Sequence, residues 1–181
     1  MQLVLLAIIG ILALLAAVLF FAVSRQPDRF RIARSAHIDA APERVFHFLN
    51  DFHEWVYWSP WEERDPDLKR TYEGAPSGPG ARYHWVGNKN VGEGTMTLTD
   101  SAPGEFVAIQ IEFLKPFAAT NQVRFTLTPD HGGTRVEWAM EGTNNLMGKL
   151  FGLLMNMDKM IGTDFDHGLA KLRAAAESPE G

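Results

Sequence analysis

The chain has 181 residues, 46% of them hydrophobic, with 17 basic against 22 acidic side chains and a net charge of −5. Its basic residues form no block, which argues against a nucleic-acid partner. The absence of cysteine excludes disulfides, thiolate catalysis and cysteine-ligated metals.

Leu3 to Val23 is an uninterrupted apolar run without charge. As a helix rising about 1.5 Å per residue it reaches roughly 31 Å, the thickness of a bilayer's hydrocarbon core. It is read as a transmembrane anchor over residues 1–24. A cleaved secretory signal is the competing reading, because Ala22-Val23-Ser24 loosely fits a small-residue cleavage site, but no Lys or Arg precedes the run. Arg25, Arg29, Arg31 and Arg34 all follow it, so the positive-inside rule predicts a single-pass membrane protein whose soluble domain is cytoplasmic. Residues 25–29 are then a linker, 30–178 one domain with enough chain to bury a core, and 179–181 a tail.

Within the domain, "PDRFRIARSAHID" alternates with Phe30, Ile32, Ala36 and Ile38 on one face and predicts a strand. "APERVFHFLND" predicts a short helix with Pro42 in its first turn and Val45, Phe46 and Leu49 inward. In "WVYWSPWEE", Trp55, Trp58 and Trp61 share a face if the segment is helical up to Pro60. About six strands follow, separated by turn signals at 74–80, 87–90, 103–104, 115–116 and 130–133. Their period of two sets inward Tyr83 and Trp85; Met96 and Leu98; Val107, Ile109, Ile111 and Phe113; Val123, Phe125 and Leu127; and Val136, Trp138 and Met140. Gln110, Glu112, Arg124, Thr126, Arg135 and Glu137 lie opposite them, as a sheet with one wet face requires. Short connections imply an antiparallel meander. A single long helix is expected from near Asn145 to near Ser178, with Leu146, Leu150, Leu153, Met157, Met160 or Ile161, and Leu172 recurring at helical spacing and Gly148, Gly152 and Gly162 weakening it.

The order of these elements, with "HIDAAPERVFHFLNDFHEWVYWSPWEERDP", "GEGTMTLTDSAPGEFVAIQIEFLKPFAATNQVRFTLTP", "GTRVEWAMEG" and "GLLMNMDKMIGTDFDHGLAKL", resembles the polyketide cyclase/dehydrase-like branch of the START-like (SRPBCC, Bet v 1-like) superfamily. The resemblance runs from Phe30 to Glu177 and leaves out the anchor. It implies an α+β helix-grip fold, a curved antiparallel sheet wrapped around a long C-terminal helix, enclosing a deep apolar cavity. Members range from lipid carriers and hormone receptors to aromatase/cyclases and oxygenase domains, so the fold does not choose the function.

On that fold the expected cavity lining is Trp55, Trp58, Tyr83, Trp85, Met96, Ile109, Ile111, Phe113, Phe125, Trp138, Met140, Leu150, Leu154 and Met157. Trp55 and Trp58 are either a lid over an apolar ligand or core that plugs the end of the sheet. Methionines in the helix suit a plastic wall and equally suit a core. No catalytic residue is assigned. Asp164, Asp166 and His167 spread around a helix and read as a solvated turn, and Glu62, Glu63, Asp65 and Asp67 read as a surface loop. The six histidines have no metal spacing, though His84 or His53 would be the first candidates for a general base. No metal or cofactor is implied.

The resulting expectation is a membrane-tethered carrier for a lipid-like or polycyclic hydrophobic molecule, anchored through Leu3 to Val23. A polyketide cyclase or dehydratase, and a non-catalytic accessory subunit of a membrane protein complex, stand as alternatives.

Overall fold

Alternation of apolar and polar side chains from Phe30 to Met140 builds a sheet with one dry face, and the computed structural model, which describes residues 2–179, shows how it is ordered. In chain order the elements are α1 (Gln2–Ser24), β1 (Arg29–Ile38), α2 (Pro42–Asn50), β2 (Lys69–Gly74), β3 (Ala81–Val86), β4 (Glu93–Ala102), β5 (Phe106–Lys115), β6 (Ala119–Asp130), β7 (Gly133–Thr143), α3 (Leu146–Leu154) and α4 (Met157–Glu177). Of the expected tail, positions 180 and 181 lie outside the described residues, as does the side chain of Leu154. The chain divides into two compact units: the residues up to Phe30 with Thr143–Met157, and Arg31–Gly142 with the residues from Asp158 onward.

The second unit holds most of a seven-stranded curved antiparallel sheet in the order β1-β7-β6-β5-β4-β3-β2, the topology of an α+β helix-grip fold. Strands β2 to β7 pair with their sequence neighbours, as short turns dictate. Register shifts in the β4–β5 pair at Glu93/Gly94 and Leu98/Asp100 are irregularities of the kind that bend and twist a sheet. The inner face buries Leu98, Val107, Ile109, Phe125, Val136 and Trp138. Against it α4 buries Phe165, Leu169, Leu172 and Ala176. The rings of Phe165 and Trp138 stack at 4.1 Å with 10° between their planes. Gly168 permits this approach, because a Cβ there would come within 2.7 Å of the Trp138 ring and 3.0 Å of Pro60. Helix α2 begins with Pro42 and buries Val45 and Leu49, as its spacing predicts.

The first unit contains α1 and α3. Among the described residues α1 is the one helix long and apolar enough to cross a membrane, over Val4–Ser24, and its large side chains from Val4 to Phe21 are exposed. Here the structure corrects the expected single C-terminal helix. Helix α3 ends at Leu154, Met155 is extended (φ −134°, ψ 143°), and α4 starts afresh at Met157. Gly148 and Gly152 lower the helix propensity of α3, and the two helices serve different units.

Candidate functional site

Cross-strand register lays the dry face of the sheet out in rows. Trp85 opposes Gly94, which opposes Phe113; Tyr83 opposes Met96, which opposes Ile111; and Val123 opposes Met140. Gly94 is required at its place, since a Cβ there would overlap both the Trp85 ring and the Glu112 carbonyl. With Trp138 these side chains form the wall of a cavity of about 430 Å³ in the second unit, a volume within the ~300–1,000 Å³ of small-molecule sites. Met160, Ile161, Asp164 and Phe165 of α4 face that wall, and Trp55, Ser59, Trp61, Glu62, Arg64 and Leu68 close it from the segment after α2.

That closing segment is held by specific bonds. Trp55 and Trp58 lie three apart across a 3₁₀ turn at Glu54–Tyr57, where residues at that spacing eclipse. The Trp55 indole N–H donates to the Leu49 carbonyl (3.2 Å) and that of Trp58 to the Phe48 carbonyl (3.0 Å). Both carbonyls belong to the last turn of α2, which has no intrahelical partner for them. Buried Asp65 accepts from the Asn88 amide (2.6 Å) and the Asp67 amide (3.1 Å). It thereby fixes the turn that brings Asn90 and Val91 to the rim, where Val91 accepts from the Trp85 indole (3.4 Å).

A polar cluster around Glu62 interrupts the apolar lining. The Tyr83 hydroxyl donates to Glu62 Oε1 (3.0 Å), and Arg70 donates through Nε to Glu62 Oε2 (2.8 Å). The Glu62 side chain is only 9% exposed. Burial pushes the Tyr83 phenol above the ordinary tyrosine range, and the Glu62 charge raises it further, so the group is a neutral donor at physiological pH. The bond to Glu62 raises the Arg70 guanidinium in turn. Arg64 pairs with Asp164 across the cavity wall. Each charge in the lining therefore has an opposite partner. Glu62 and Asp164, read from sequence as surface and solvated turn, are mostly covered. Sequence alone carried no signal for this, because Arg70 and Tyr83 meet Glu62 from two strands across a loop and Arg64 meets Asp164 from far along the chain.

The expected lining divides as follows. Trp55, Tyr83, Trp85, Met96, Ile111, Phe113, Trp138 and Met140 face the cavity. Trp58, Ile109 and Phe125 are fully buried behind it. Leu150 and Met157 belong to the first unit and are not in this lining. His84 bonds Thr95 (3.1 Å), and His53 is exposed, bonded to Asp51 (2.8 Å) and stacked on Tyr72. Neither histidine lines the cavity. Among the described residues no group of three or more His, Asp or Glu is placed to hold a metal ion.

Solved structures share this fold at low identity. Protein CV1439 from Chromobacterium violaceum matches with a TM-score of 0.60 and 16% identity, covering 84% of this chain and 99% of its own. The Aha1 dimer from Colwellia psychrerythraea matches with a TM-score of 0.59 and 17% identity, covering 84% and 99%. The di-domain ARO/CYC StfQ from the steffimycin biosynthetic pathway matches with a TM-score of 0.58 and 13% identity, covering 82% of this chain and 51% of its own. No curated protein matches by sequence. The model of one family, described as polyketide cyclase / dehydrase and lipid transport, matches residues 29–177, and the chain belongs to that family.

Proposed function

We propose that this protein is a membrane-tethered carrier that holds an uncharged hydrophobic molecule, lipid-like or polycyclic, in the cavity of its second unit. The observation that carries this is the lining itself: about 430 Å³ walled by aromatic, aliphatic and methionine side chains, with its charges paired as Glu62–Arg70 and Arg64–Asp164. An anionic ligand would bring an unpaired charge into that wall, at a cost that a neutral one avoids. The neutral Tyr83 phenol and the Glu62 carboxylate form a polar spot on the cavity wall suited to a hydroxyl on the ligand. Helix α1 supplies the tether, and the arginines after it support a cytoplasmic soluble part. The segment from Ser24 to Arg29 reaches at most about 20 Å, so the start of the sheet stays close to the bilayer. Native mass spectrometry of the full chain, released from its own membrane, is the test. A co-released neutral hydrophobic mass that disappears on denaturation supports the carrier; protein that is ligand-free in every preparation contradicts it.

Catalysis of a cyclisation or dehydration is the second function to which one observation lends weight. Tyr83 and Glu62 form a hydrogen-bonded donor–acceptor pair on the cavity wall, the arrangement an acid–base step on a bound apolar intermediate would need. If that is the function, Tyr83→Phe and Glu62→Gln each abolish turnover while the ligand mass is retained.

A further inference from the structure

Helix α3 turns its apolar side chains outward. Leu146 is 67% exposed, Met147 42%, Leu153 38% and Met155, just past its end, 43%. A surface helix of a soluble protein ordinarily faces such residues to a core and its charges to water. Here the arrangement is inverted. The one charged residue of α3, Lys149, is mostly covered, with its ammonium on Asp28 Oδ1 at 2.5 Å. The outward face is left without a formal charge.

The start of α3 is also pinned to the foot of α1. The Asn144 amide donates to the Asp28 carbonyl (2.8 Å) and its side chain to the Pro27 carbonyl (3.0 Å), while Asn145 caps the helix by accepting from the Gly148 amide (2.9 Å). Helices α1 and α3 pack together within the first unit. Arg25, directly after α1, lies with its guanidinium 4.5 Å over the Phe21 ring, a cation–π contact at the end of the apolar run.

We propose that α3 is a second membrane-contacting element, which lies in the interfacial layer of the bilayer beside the point where α1 emerges. This rests on the tethered reading of α1. The bilayer is chosen over a protein partner because α3 packs against α1, the span itself, and its exposed residues carry no charge pattern that would select a partner. The apolar face of an interfacial helix sinks about 5–10 Å into the boundary between headgroups and acyl chains, and the exposed leucines and methionines of α3 supply such a face. The membrane then holds Thr143–Met157 as well as the N-terminal helix, both within the first unit.

The lack of native cysteine permits a direct test on the full chain. Single variants Leu146→Cys, Leu153→Cys, Leu12→Cys and Thr128→Cys, each labelled with an environment-sensitive fluorophore, are reconstituted into phosphatidylcholine/phosphatidylglycerol vesicles. The lipids carry a nitroxide either near the headgroup or deep in the acyl chain. The expected result is quenching at positions 146 and 153 by the shallow nitroxide several-fold above that at 128, with position 12 quenched by the deep one. Positions 146 and 153 are both exposed, so each label reports independently if the other variant misfolds. Quenching at 12 with 146 and 153 no different from 128 overturns the proposal and leaves the tether standing. No quenching at 12 removes the tether and the proposal together. A blue shift at 146 and 153 that depends on protein concentration and not on vesicles identifies a second copy as the occupant and overturns it too. Binding of a neutral apolar probe to the cavity, measured on the same samples, reads the carrier function separately.

Discussion

Trp55 and Trp58 lie with ring centroids 4.6 Å apart and both cap carbonyls of α2, yet only Trp55 reaches the cavity. Trp58 is fully enclosed, edge-on to Phe125 at 5.8 Å and to Trp138 at 5.6 Å. The pair therefore divides the work between support and lining, and the two residues should respond differently to truncation.

Trp58→Ala is expected to lower stability by about 3–5 kcal/mol, the range for truncating a buried large aromatic, with little change in affinity for a neutral apolar probe. Trp55→Ala should lower probe affinity as well as stability. Thermal unfolding with and without probe checks both; a larger affinity loss for Trp58→Ala than for Trp55→Ala contradicts the division.

Removal of either member of the Glu62–Arg70 pair should have unequal effects. Arg70→Met leaves a mostly buried carboxylate with Tyr83 as its remaining protein donor, and an under-satisfied buried group costs about 1–3 kcal/mol or more when charged. Glu62→Gln leaves Arg70, which is more exposed and can turn to water, and keeps an oxygen for Tyr83. Urea midpoints should therefore fall further for Arg70→Met.

Gly94→Ala tests the shape of the wall. The added methyl cannot coexist with the Trp85 ring and the Glu112 carbonyl as they stand, so the indole must shift into the cavity or the β4–β5 pair must part. Overpacking of this kind costs about 1–3 kcal/mol. The expected outcome is a lower melting temperature together with weaker binding of bulky probes than of slim ones.

Acid should destabilise the second unit. The carboxyls of Asp158, Glu63 and Glu93 are held below the ordinary range, in each case first by a hydrogen bond, from Arg34, Lys171 and Lys115 respectively. A depressed folded-state value stabilises above the unfolded value and is lost as pH falls through the folded one. Denaturant midpoints should be flat near neutrality and fall below about pH 4, and Lys171→Met should make the acid slope shallower.

Tyr83 carries the opposite sign. Its phenol is raised first by burial, so its contribution is present below the ordinary tyrosine value and is lost as pH rises above about 10. Difference absorbance titration of wild type against Tyr83→Phe should show that the phenol removed is one that does not ionise near pH 10 in the folded protein. A normal titration step lost in the variant contradicts its burial.

By itself the sequence determined the α+β class, the meander and the dry face of the sheet, because a strand's period of two writes each residue's facing directly into the chain. Trp85 on β3 and Trp138 on β7 were readable in this way, as were Pro42 at the start of α2 and the apolar run of α1. Depth was not readable. Ile109 and Ile111 alternate identically on β5, but curvature of the sheet buries the first and opens the second to the cavity. Helix facing was less legible still, since Asp164 and Phe165 are neighbours in sequence and both end on the wall. The Glu62 cluster joins a broken loop to Arg70 and to Tyr83 on another strand, and Arg64 meets Asp164 on α4. Only tertiary structure decided these, because an ion pair outside a regular element leaves no periodic trace, whether its partners are close in sequence like Glu62 and Arg70 or distant like Arg64 and Asp164, and it forms where the fold removes water from both at once.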